Sequence, residues 1–153
     1  MKRNLQIIRI LVLCLSVLGV NCMVDAQERV VDYSNKFDEF SGSNWESAMA
    51  HLDQFALEMQ NNSHMIGVLI VYGGQRRRRG EAQAWSGCLK SYLVSRRGLE
   101  RNRIVMINGG YREDLTVELW ETVDRKHIPD PKPQVKPKDV RFKKGKVTDL
   151  CEL

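Results

Sequence analysis

Trp45, Ala48, Met49, Leu52, Phe55, Ala56 and Met59 recur at helical spacing and lay one apolar stripe along a helix. Ser43 or Asn44 caps its start, Glu46 sits in the first turn where the helix dipole favours a carboxylate, and Asn61-Asn62-Ser63 ends it. Ile66 to Tyr72 is almost continuously apolar and rich in β-branched residues, the pattern of a central strand covered on both faces. Gly73-Gly74 stops it. Ala82, Trp85, Cys88, Leu89, Tyr92 and Leu93 mark a second amphipathic helix, closed by Gly98. Ile104 to Ile107 predicts a second buried strand and Asn108-Gly109-Gly110 a turn. Leu115 to Trp120 alternates, so it predicts a strand whose Thr116, Glu118 and Trp120 side is the wetter one. A short candidate strand around Lys36 to Phe40 precedes the first helix.

The order strand, helix, strand, helix, strand, strand is that of an α/β domain. Right-handed crossovers place both helices on one face, which predicts a two-layer α/β sandwich over residues 27–124. After Val123, four prolines between 129 and 137 alternate with lysines and no strong apolar period returns. Residues 125–153 therefore read as an extended, mobile basic tail.

The first residues have a different character. Lys2 and Arg3 precede an uncharged run from Ile10 to Val20, and Val24-Asp25-Ala26 supplies small residues where a signal peptidase cuts. Residues 1–26 read as a signal peptide, so the expected location is the periplasm or cell envelope. The run is short for a bilayer span, and no later segment is apolar enough to be one. Attachment of a lipid through Cys22 is the alternative, but Gly19-Val20-Asn21 lacks the leucine and small final residue of such a site.

Charge is unevenly distributed. Residues 27–60 carry two basic and seven acidic groups, whereas residues 125–153 carry nine basic and four acidic ones. That excess is small for a nucleic-acid binder, and export argues against such a partner. Two cysteines follow the expected cleavage site. Cys88 lies on the apolar face of a helix, where a cysteine packs as a small hydrophobe; outside the cytosol it can instead pair with Cys151, which the tail can bring back to it. His51, His64 and His127 have no ligand spacing with either thiol, so neither a metal nor a cofactor is expected.

No His and Cys or Ser pair has an orienting partner, and no catalytic residue is assigned. Glu113-Asp114 reads as two solvated charges, because successive strand residues face opposite ways. Asn61-Asn62-Ser63 also fits a glycosylation sequon. Gly74 to Gly80 lacks the closing Lys-Ser/Thr of a phosphate loop. It does join the end of a central strand to the start of a helix, where ligands and anions collect. Gly74, Gln75, Arg76, Arg77, Arg78 and Arg79 are thus either a solvated charged loop or an anion site, with guanidinium groups suited to carboxylate or phosphate. Lys132, Lys136, Lys138, Arg141, Lys143, Lys144 and Lys146 offer a second route to an anionic surface, or simply a soluble tail.

Phe37 in the first strand, Leu52-Asp53-Gln54-Phe55, Val68 to Tyr72, and Ser91-Tyr92-Leu93-Val94 with Gly98-Leu99 and Arg103-Ile104 together resemble the OmpA-like, peptidoglycan-associated C-terminal domain over residues 36–121. Val71-Tyr72-Gly73-Gly74, Arg79-Gly80-Glu81-Ala82-Gln83 and Gly109-Gly110-Tyr111-Arg112-Glu113 resemble more closely a group of uncharacterised exported bacterial proteins. The first resemblance implies a cell-wall ligand held by an aspartate and an arginine. This chain has Gly74 or Gln75 at the aspartate position and Trp85 at the arginine position. The expectation is a non-enzymatic envelope-binding module whose arginine loop meets peptidoglycan or another anionic envelope component. A structural protein whose basic tail docks a partner is the alternative.

Overall fold

The computed structural model describes residues 33–42, 44–147, 150 and 151. The expected signal peptide and Cys22 lie outside these residues. Four strands, β1 (Ser34–Ser41), β2 (Ile66–Gly74), β3 (Ile104–Arg112) and β4 (Thr116–Thr122), form one mixed sheet in the order β1-β4-β2-β3. β2 and β3 are parallel, and β4 runs antiparallel to both β1 and β2. The helices are α1 (Trp45–Asn61) and α2 (Glu81–Ser91), the second continued by a π-helical turn over Tyr92–Arg96. The architecture is α/β, with two helices on a four-stranded sheet.

Asn44 is the cap of α1: its Oδ1 accepts the Ser47 N–H at 3.0 Å. Leu52, Phe55, Ala56 and Met59 of α1 and Trp85 and Leu89 of α2 pack with Leu69, Val71, Val117 and Leu119 in one core. Both helices therefore cover the same sheet face. Each fully buried large apolar side chain contributes roughly 1.5–3 kcal/mol. The reverse face carries a second cluster, Val68, Ile70 and Tyr72, flanked by Ile66, Val105, Ile107, Trp120 and Ile128. Two apolar faces on β2 explain its unbroken hydrophobic sequence.

Asn108-Gly109-Gly110 does not turn the chain. β3 runs through it with one extra residue, since Val71 pairs with Asn108 but Gly73 pairs with Tyr111. This is a β-bulge, which Gly110 accommodates at φ 81°. Gly109 lets the Tyr72 ring approach: a Cβ there would lie 2.5 Å from Tyr72 Cδ1. Gly109→Ala is expected to destabilise the fold by about 1–3 kcal/mol, the usual range for overpacking, measured as a lower denaturation midpoint.

The segment expected to form a tail packs against the domain. Asp32–Leu153 is one compact unit. Asp124 accepts the Lys126 and His127 N–H groups and bends the chain under the sheet, where Ile128 joins the reverse-face cluster. The Lys132 N–H donates to the Tyr72 hydroxyl at 3.1 Å, and those of Gln134 and Val135 both donate to the Tyr111 carbonyl at 2.9 Å. Leu150 then packs against the helix-side core, and Cys151 is disulfide-bonded to Cys88 of α2. The tail is a strap around the domain. Prolines removed local helix and sheet propensity from this segment, but they did not prevent docking through the remaining N–H groups.

Candidate functional site

The strap and the arginine loop meet at one end of the sheet. The Arg141 N–H donates to the Gln75 carbonyl at 2.9 Å and that of Lys143 to the Arg77 carbonyl at 3.0 Å. Arg78 and Lys143 accordingly form a parallel bridge. Two basic segments more than sixty residues apart thus share one surface. Between them and the sheet lies a cleft of about 510 Å³. Ala82, Gln83 and Ser86 of α2 form one wall, Met106 and Tyr111 of β3 another, and Phe142 of the strap contributes an aromatic edge.

The six residues singled out in the loop are divided by the fold. Gly74, Arg77, Arg78 and Arg79 line the cleft, whereas Gln75 and Arg76 do not. Gly74 is held close to its neighbours, since a Cβ would fall 2.8 Å from the Leu115 nitrogen. Gln75 is structural: its N–H donates to the Arg112 and Glu113 carbonyls, and its side-chain amide donates to the Asp139 carbonyl at 3.1 Å. Arg76 is exposed to solvent.

Glu81 organises the rest of the loop. Its buried carboxylate accepts the Arg78 N–H at 2.9 Å and pairs with the Arg77 guanidinium at 3.2 Å. Gly80, at φ 82°, makes the sharp entry into α2. Arg79 lies over the Phe142 ring, 4.7 Å from its centroid, and Phe142 meets Tyr111 edge-on at 6.1 Å. Among the described residues Arg78 and Arg79 have no carboxylate partner within salt-bridge distance, so their charge faces the cleft and solvent. Sequence reasoning missed Phe142 and Tyr111. The one aromatic residue among the strap lysines was the available signal.

A second polar concentration lies on the reverse face, where the sequence predicted the wetter side of β4. Glu118 is 5% exposed. It pairs with Arg112 at 2.6 Å and Lys36 at 3.2 Å, and it accepts from Tyr72 at 3.0 Å and Trp120 at 3.1 Å. Arg112 also reaches Glu39 at 2.9 Å and stacks 3.6 Å from the Tyr72 ring centroid. Burial by itself would push the Glu118 carboxyl up; hydrogen bonds from Arg112, Trp120, Lys36 and Tyr72 outweigh it and hold it below the ordinary carboxylate range. The cluster ties all four strands together and, through Tyr72 and Lys132, the strap as well.

Two of the three histidines have partners within the fold. His51 pairs with Asp38 and stacks on Phe40, while His127 pairs with Asp124 and stacks on Tyr33. Among the described residues no group of three or more His, Cys, Asp or Glu is placed to hold a metal, and no helix is long and apolar enough to cross a membrane. No protein-family model and no curated protein sequence matches this chain, so the cleft's own chemistry carries the functional argument.

Proposed function

We propose that this chain is a non-enzymatic, exported cell-envelope module that holds an anionic ligand in the cleft beneath its arginine loop. The observation that carries the reading is the convergence of Arg77, Arg78 and Arg79 with the N-terminal end of α2 around one concavity. Guanidinium groups match carboxylate and phosphate geometry, and a helix N-terminus adds to the attraction for negative charge. The residues lining the cleft include no carboxylate, histidine or thiol.

The Cys88–Cys151 disulfide suits an oxidising compartment and so supports export. Peptidoglycan is the first ligand to test, on the strength of the resemblance to OmpA-like domains. Trp85, at the position of that family's arginine, is buried against Trp45. Any contact with the wall therefore passes to the arginine loop. A free basic tail docking a partner alone is disfavoured by the backbone bonds that hold residues 134–143 to the domain.

Co-sedimentation of the purified protein with peptidoglycan sacculi at low and moderate salt tests this reading. Wild type should remain bound at moderate salt, and R77E/R78E/R79E should lose at least nine-tenths of that binding, on the order of 1.4 kcal/mol or more. Binding that disappears with modest salt, or that survives the charge reversal, contradicts it.

A further inference from the structure

We propose that the cleft selects an amphiphilic anion, a molecule with one phosphate or carboxylate head on a compact apolar body, rather than a bare anion. This inference rests on the anion-binding reading above and names the ligand class. Charge sits on one side of the cleft, where Arg78 and Arg79 rise from the loop. The other walls mix the polar Gln83, Ser86 and Asn108 with an apolar share: Ala82, Met106, Tyr111 and Phe142 all line the cleft and all are only half-buried, so part of their surface remains available. A site made for a bare anion would surround it with donors. Here the apolar share offers only dispersion and the exclusion of water.

The volume of about 510 Å³ is that of a pocket for a single small molecule. The head would meet Arg78 and Arg79 near the first turn of α2, and the body would lie against Met106, Tyr111 and Phe142. Phe142 has a double role. Its ring carries the Arg79 guanidinium on its face and closes the apolar side, so head and body recognition are joined at one residue.

Calorimetric titration of the oxidised protein with inorganic phosphate, hexyl phosphate and hexanol tests the inference. Hexyl phosphate is expected to bind at least tenfold tighter than inorganic phosphate, with hexanol far weaker than either; complete burial of each methylene corresponds to about fourfold. Phe142→Ala should reduce the preference for hexyl phosphate to threefold or less. Because that change could also loosen the strap, Gln83→Glu provides an independent check. It places a carboxylate on the cleft wall at an exposed position in the first turn of α2, where helix stability tolerates it. It should weaken both phosphates at least threefold. Equal affinity for the two phosphates, or hexanol binding as tightly as hexyl phosphate, overturns the amphiphile inference while leaving the anion site intact. No binding of either phosphate, or full affinity in Gln83→Glu, removes the anion-binding reading as well.

Discussion

Replacing Cys88 and Cys151 together by alanine is expected to lower the unfolding free energy by about 4 kcal/mol, the loop-closure entropy of a disulfide spanning this separation. The two cysteines stand 63 residues apart, and the closed loop contains part of α2, β3, β4 and the whole strap. Cross-linking so long a loop removes many unfolded conformations. In the folded state, the bond also fixes the far end of the strap to α2. Its loss should release the segment that presents Arg141, Phe142 and Lys143 to the loop. Urea denaturation with and without reductant measures the first effect. Trypsin cleavage after Lys143, Lys144 and Lys146, faster in the reduced protein, measures the second. Equal stability in both redox states would show that the strap is held by its noncovalent contacts alone.

Glu118→Ala is expected to cost about 3–5 kcal/mol, the usual penalty for removing one partner of a buried ion pair. Among the described residues it leaves Arg112 with only the exposed Glu39 as a carboxylate partner, and it takes the acceptor from Tyr72 and Trp120. Glu39→Ala, at a much more exposed carboxylate, should cost about 1 kcal/mol or less. The pH dependence follows from the sign of the shift. Glu118 is held below its ordinary value of 4.5, so its contribution is fully present above that pH and is lost as pH falls through the lower folded value. The acid limb of the stability curve should therefore be shallower in Glu118→Gln. Denaturation midpoints between pH 2 and 7 would reveal this, and an unchanged limb would show that other carboxylates govern acid unfolding.

The elements that could be read from the sequence were those whose side chains carry a periodic signal. The stripe from Trp45 to Met59 and its Asn44 cap define α1, and the run from Ile66 to Tyr72 becomes a strand with two apolar faces. Asn108-Gly109-Gly110 misled because the same glycines that permit a turn also permit a bulge. Only the Tyr72 ring above Gly109 distinguishes them. Glu118 looked like a solvent-facing residue because alternation reports the side of the sheet and not what covers it. Its partners outside β4, Lys36, Tyr72 and Arg112, come from three other strands. The strap was hidden for the same reason. Its docking is carried by N–H groups of Gln134, Val135, Arg141 and Lys143, which have no side-chain signature. The arginine loop was visible as a charge run, but the division between cleft-facing Arg77–Arg79 and outward Arg76 required the fold.

The most direct test of the account is a backbone amide titration by NMR with inorganic phosphate at low and moderate salt. If the loop and strap form one anion site, shift changes should concentrate on residues 77–83 and 141–143 and persist at moderate salt. Changes spread evenly over the lysines between 132 and 146, and abolished by the same salt, would contradict the account and reduce the basic surface to diffuse charge attraction.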